Sequence, residues 1–257
     1  MRKHRNSSFL WRSACVLAAV IFYSNTLRAQ QADSVSRLNT IKADITSHWL
    51  YRNAFVLSYE RQIKHNRSLA VTAGFQQFPT MASLGDGIDV TRERNSTGFK
   101  AGAEYRFYLS KENKFAAPHG IYMGPYISYL NFNVDRNIMV ESEGVTQEAA
   151  MNSKLNIFNI GYQLGYQFVI NNRWTIDLVF LGPSISNYSL KMKLDGNYNF
   201  STEDIENEAL KAFVDRFPLI RDLINNKEVS AKGSADTWAY GFRYQLLVGY
   251  HFGRKKN

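Results

Sequence analysis

The chain alternates. In WAYGFRYQLLVGYHF (238–252) the even positions hold Trp238, Tyr240, Phe242, Tyr244, Leu246, Val248, Tyr250 and Phe252, while the odd ones hold Ala239, Gly241, Arg243, Gln245, Leu247, Gly249 and His251. A period of two marks a β-strand whose faces meet different media. Seven earlier segments share the pattern and predict strands near 39–50, 54–63, 68–78, 97–109, 120–134, 155–170 and 174–190; the eighth covers 236–252. The fourth sets Phe99, Ala101, Ala103, Tyr105 and Phe107 opposite Lys100, Gly102, Glu104 and Arg106. The fifth is the least decisive, because both faces carry large residues and Pro125 interrupts it. The seventh is expected to bend at Gly182-Pro183.

Connection lengths sort into two sets. On one side lie 64–67, 110–119 and 171–173; on the other lie 79–96, 135–153 and 191–235, with the short segment 48–54 as an exception. Short turns at one end and long loops at the other are the asymmetry of bacterial outer-membrane barrels.

Three sheet architectures could alternate in this way. A soluble sandwich would cover its polar face with Lys and Glu, and a lipocalin-like barrel would turn its apolar face inward. Here the polar face is mainly Gly, Gln, Asn, Ala, Thr and Ser with sparse charge, which suits an enclosed polar interior. Aromatic residues gather toward strand ends, as the girdles of a lipid-facing barrel do. Trp238 and Tyr240 occupy one end of the last strand, Tyr250 and Phe252 the other, and Trp174 opens the seventh beside a short turn. Tyr162, nearer mid-strand, departs from the pattern. The reading is an all-β, eight-stranded antiparallel transmembrane β-barrel.

The block GAEYRFYL (102–109) followed by APHGIYMGPYISY (117–129) resembles a family of small outer-membrane β-barrels catalogued as a domain of unknown function, of the OmpA-like size class. NTIKADI and VLSYERQI are similar to its first two strands, and the resemblance spans 37–253. It implies an outer-membrane location, and a terminal Phe252 read by the barrel-insertion machinery. It carries no catalytic residue.

The ends change the picture of charge. Arg2, Lys3, Arg5 and Arg12 precede the apolar run 13–23, and Ala29 offers a small-residue exit, so residues 1–29 read as a cleaved signal peptide. That segment holds five of the 31 Lys and Arg and no Asp or Glu, leaving 26 against 22, a net charge of +4 rather than +9. Such a balance carries no nucleic-acid footprint. The sole cysteine, Cys15, lies in the leader, which leaves the mature chain without thiol chemistry.

Eight charges fall on the inward face: Lys42, Asp44, Glu60, Lys100, Glu104, Arg106, Asp177 and Arg243. Four of each sign suggest a lumen plugged by ion pairs, since a ring of this size is nearly filled by its own side chains. The alternative is a narrow gated pore for ions or small solutes, tuned by charge rings. A second feature is 201–226, where Ile205, Phe213, Phe217, Ile220 and Ile224 make a helical apolar stripe inside the longest connection. It is expected on the external rim, as packing, a lid or a partner-binding helix. No metal, cofactor or nucleophile motif stands out: the mature histidines lack ligand spacing, and GDG (85–87) is a turn. SISNYS (184–189) supplies hydroxyls without a neighbouring base, so an outer-membrane lipid-modifying or hydrolytic enzyme ranks third. The expected role is structural or interactive, with lipid around the barrel and a protein or polysaccharide partner at the external loops.

Overall fold

The computed structural model describes residues 38–80, 83–85, 88–142, 145–195 and 234–253. The leader 1–29 and the helical segment 201–226, with Ile205, Phe213, Phe217, Ile220 and Ile224, lie outside the described residues. The elements are β1 (Asn39–Asp44), α1 (Ile45–Leu50), β2 (Arg52–Lys64), β3 (Arg67–Gln77), β4 (Ser83–Gly85), β5 (Ile88–Tyr108), β6 (Gly120–Ser142), β7 (Val145–Ile170), β8 (Trp174–Leu181), β9 (Pro183–Asp195), β10 (Ser234–Phe242) and β11 (Gln245–Phe252).

All pairings are antiparallel, and they close. The order runs β7-β6-β5-β3-β2-β1-β11-β8, and β8 returns to β7. Beyond Gly182 the chain continues as β9, which pairs with β7 further along and with β10 on its other side. So β8 with β9 and β10 with β11 are each one strand with a kink, β4 is a short appendage on β5, and the ring has eight members. The two kinks face each other, held by a bond from Arg243 N–H to Gly182 O at 2.9 Å. Where all eight members pair, closure leaves no open sheet edge.

Three departures from the sequence reading have physical causes. The first strand stops at Asp44 rather than Leu50, because the Asp44 carboxylate accepts from the backbone N–H of Ser47 at 3.0 Å and caps a helical turn. Of the segments 79–96 and 135–153, expected as loops, residues 88–96, 135–142 and 145–153 are strand: β6 and β7 pair without a break from Gly120↔Gln167 to Ser142↔Val145. The third concerns Pro125. It sits within the long strand β6, and the β5–β6 ladder has no partners for Tyr105 and Arg106 opposite Gly124 and Pro125, consistent with the missing proline N–H.

Along β6 the two faces exchange character. Outward positions read Ile121, Met123, Pro125, Ile127 and Tyr129, then Asn131, Asn133, Asp135 and Asn137. Inward positions read Tyr122, Gly124, Tyr126 and Ser128, then Leu130, Phe132, Val134, Arg136 and Ile138. Neighbouring strands switch at the same level. In β7 outward Phe158 gives way to Asn156, and in β9 outward Ile185 gives way to Asn187; Phe158 pairs with both Tyr129 and Asn187. Along these three strands one end is thus apolar outside and polar inside, and the far end is the reverse.

Inner glycines make room for inner tyrosines. A Cβ on Gly165 of β7 would lie 2.5 Å from the Tyr122 ring, and one on Gly161 2.8 Å from the Tyr126 ring. Gly165→Ala is therefore expected to push Tyr122 off its partners and destabilise the barrel by about 1–3 kcal/mol, the usual range for overpacking. The midpoint of urea unfolding in lipid vesicles, set against the unmodified chain, checks this; an unchanged midpoint would contradict it.

Candidate functional site

The inward face at the end of the ring that is apolar outside is the chemically dense part of the molecule. Lys42 on β1 extends its ammonium between two carboxylates, Glu60 on β2 and Asp177 on β8, each at 2.5 Å, with the Gln167 amide oxygen at 2.6 Å. Arg106 on β5 approaches from the other side. Its Nη1 reaches Asp177 at 2.6 Å, Gln167 Oε1 at 3.2 Å and Glu60 at 3.3 Å, while Nε and Nη2 both bond one oxygen of Glu104 at 3.1 and 3.0 Å. Two cations and three carboxylates thus share one buried cluster.

Hydroxyls and amides fill the remaining lone pairs. Glu60 accepts from Ser68 at 2.5 Å and from Tyr108 at 2.7 Å, and Asp177 accepts from Tyr122 at 2.6 Å. Glu104 also accepts from the Gln163 amide. The Tyr122 ring lies under the Arg106 guanidinium, 4.2 Å from Cζ to the ring centroid, and adds a cation–π contact.

Glu104 links this cluster to a second tier. Its other oxygen receives Arg243 Nη2 at 3.2 Å; Arg243 also donates to Gln245, whose amide donates to Asp44 at 2.6 Å. Asp44 pairs with Lys100 at 2.8 Å while capping α1. Every one of the eight inward charges therefore sits in a single hydrogen-bonded network, four positive against four negative. Lys42, Glu60, Arg106 and Asp177 are almost wholly shielded from solvent; Lys100 and Arg243 are partly open. Each strand of the ring contributes: Ser68 from β3, Tyr122 from β6, Gln163 and Gln167 from β7.

Sequence reasoning did not single out Gln163, Gln167, Gln245, Tyr108 or Tyr122. The glutamines could have been found by their place on the same faces as the charges, and Tyr122 by its register opposite Gly165. Ser184 and Ser186 point inward with their hydroxyls 3.1 Å apart, close against Gly241. The residues expected at a girdle point outward: Trp174, Trp238, Tyr240, Tyr250 and Phe252 are all exposed, Tyr240 at 84 %. Trp174 meets Tyr250 edge-on at 5.6 Å between centroids.

Fold and interior define a closed eight-stranded β-barrel with a neutral, ion-paired core. The chain belongs to the family described as a protein of unknown function (DUF3575), whose model matches residues 16–209. Searches of curated proteins and of solved structures found no match.

Arrangements of this kind are coupled. Removing one partner of a buried pair leaves an uncompensated charge and costs about 3–5 kcal/mol, whereas removing both costs far less. Glu104→Gln and Arg106→Met are each expected to lower the urea midpoint strongly, and the double variant less than the two effects summed. Additive losses across that double-mutant cycle would show that the two side chains act independently.

Proposed function

We propose that this protein is an exported integral outer-membrane β-barrel whose lumen is closed by the ion-pair network, and whose role is structural or interactive through its far end. One observation carries the reading: a closed ring with an outward band of exposed apolar side chains, edged by aromatic residues and ended by a level switch to Asn and Asp. Toward the far end the band is bordered by Phe55, Phe75, Phe99, Tyr129, Phe158 and Trp238; toward the other it is bordered by Tyr59, Phe168, Trp174, Tyr250 and Phe252. Between them lie Val71, Ile127, Ile160, Leu178 and Val248, together with Tyr162 and with Tyr240, which the register sets level with Ile160 rather than at a border. Outward residues of β6 from Ile121 to Tyr129 match the roughly 9–11 residues a tilted strand needs to cross the hydrocarbon. In water such a band would be far larger than a monomer exposes; in lipid it needs no cover.

The interior supports the closed lumen. Arg106, Tyr122, Lys42 and Leu247 are among the largest fully buried side chains, and the charges are already spent on one another. A conducting path would need water past Arg106, at the cost of opening its bonds to Asp177 and Glu104. Lipid surrounds the barrel in this reading, the insertion machinery delivers it, and a protein or polysaccharide meets its far end.

Two measurements test the proposal. In variants retaining only Trp174 or only Trp238, bromines near the lipid head groups should quench fluorescence more than bromines at the chain ends, because both residues belong to border belts. Absence of quenching at either would remove the membrane reading. The unmodified barrel in a planar bilayer should pass no steady current, and a steady current would overturn the closed lumen in favour of a pore.

A further inference from the structure

The two ends of the barrel differ in charge as well as in polarity. At the short-turn end, Arg61 and Lys64 on β2, Arg67 on β3, Lys111 and Lys114 in the β5–β6 connection and Arg173 in the β7–β8 turn are all exposed. Register gathers them at one rim: Arg61 pairs with Asn39, Lys64 with Arg67 and Arg67 with Phe107, while Asn39 pairs with Phe252, and Trp174 with both Tyr250 and Ile170. Among the described residues, Glu112 is the one exposed acid at this rim, and none of the six cations forms an ion pair. The far end mixes signs. There Glu93, Asp135, Glu148 and Asp236 are interspersed with the cations, and Arg52 pairs with Glu93 at 2.6 Å.

The basic rim is continuous with the outward apolar band. Arg61 and Arg67 lie on the outward faces of their strands, the same faces that carry Tyr59 and Leu69 two residues further in. Arg67 Cζ stands 5.5 Å from the centroid of the Phe107 ring, and Lys114 Nζ 5.9 Å from that of Phe115. Arg173 directly precedes the exposed Trp174. Long basic side chains at such a border lay their stems on apolar surface and carry the charge outward to the head-group level. Like charges gathered at one rim also repel one another, a cost that an anionic partner relieves.

We propose that this rim binds the phosphates of anionic phospholipids in the leaflet at the short-turn end, so that the barrel collects such lipids around that end. The inference rests on the membrane reading above and adds the class of lipid it selects. Lipid fits better than an acidic protein, because Arg61, Arg67 and Arg173 adjoin outward aromatic rings rather than a turn surface facing away from the bilayer. A zwitterionic head group carries the same phosphate with its own ammonium beside it, so net charge decides the choice. One near-surface Lys or Arg favours an anionic leaflet by a factor of about five.

The test reconstitutes the mature chain in phosphatidylcholine vesicles that carry a trace of phosphatidylglycerol or phosphatidylcholine, each spin-labelled on its acyl chain. Electron paramagnetic resonance reads the fraction of label immobilised at the barrel. Phosphatidylglycerol should be preferred about threefold, the mean of about five at one leaflet and one at the other. That preference should fall toward unity between about 0.01 and 1 M salt, as the screening length shrinks from about 30 to about 3 Å. Arg61→Gln, Arg67→Gln and Arg173→Gln combined should remove most of it, whereas Lys154→Gln, Lys191→Gln and Lys193→Gln combined, at the far end, should leave it. The salt series needs no variant and keeps the test open should a triple variant misfold. Equal immobilisation of the two labels, a preference indifferent to salt, or its loss in the far-end variant instead would overturn the proposal while the membrane reading stands. Equal immobilisation together with saturable binding of polyglutamate would put an acidic protein in place of lipid. No immobilised component with either label would remove the membrane reading, and this proposal with it.

Discussion

Arg106 and Lys42 are fully buried cations in a ring too narrow to hydrate them, and the rest of the barrel is arranged around that constraint. Neither can be placed without Glu60, Glu104 and Asp177, which come from three different strands. Their positions are tied to register. A one-residue slip in any strand would carry its inward side chains to the outer face. For β5 that would put Lys100, Glu104 and Arg106 on the apolar band and Phe99, Tyr105 and Phe107 inside. Buried ion pairs add little net stability against well-packed apolar alternatives. Their contribution here is to make the wrong registers far worse than the right one.

Steric complementarity enforces the same arrangement. Tyr122 and Tyr126 project into the lumen from β6, where β7 presents Gly165 and Gly161. Tyr126 uses its hydroxyl to hold the Gly182 carbonyl at 2.9 Å, and Arg243, whose own N–H bonds that carbonyl, lies over the Tyr126 ring at 4.7 Å. The kinks in two adjacent strands are therefore fixed by the same residues that carry the second tier of charge. Shape, bend and charge balance are one solution rather than three.

This explains what the sequence made legible. Strand number, face assignment and the eight inward charges follow from a period of two, because parity alone decides which side a residue faces. The pairing of those charges could not be read, since it depends on register across strands far apart in sequence, such as Lys42 with Asp177. The short helix at 45–50 was masked by alternation through Ile41, Ala43 and Ile45 and betrayed only by Asp44 and Ser47 at capping distance. Segments 88–96 and 135–153 read as loops because polar residues such as Asn95, Asp135 and Asn137 stand where the outward positions had been apolar. Along 130–138 the alternation goes on with its polarity turned over, while two register shifts in β5, at Val90/Arg92 and Glu93/Asn95, break it in 88–96. Arg136 was missed for the same reason: within a supposed loop, an arginine carries no signal.

The inversion also bears on what the barrel can do. Phe132 stands at its level, with Tyr51 stacked on it at 5.3 Å and Phe78 edge-on at 5.3 Å. Beneath lie Asp44, Ser47 and Lys100, the upper tier of the charge network. A solute entering the far compartment would meet an aromatic floor, and behind it charges that are already paired. Passage would require breaking both. In the proposed setting the inversion lets the far wall face water, while the aromatic floor and the paired charges behind it would stand in the way of any route through the barrel.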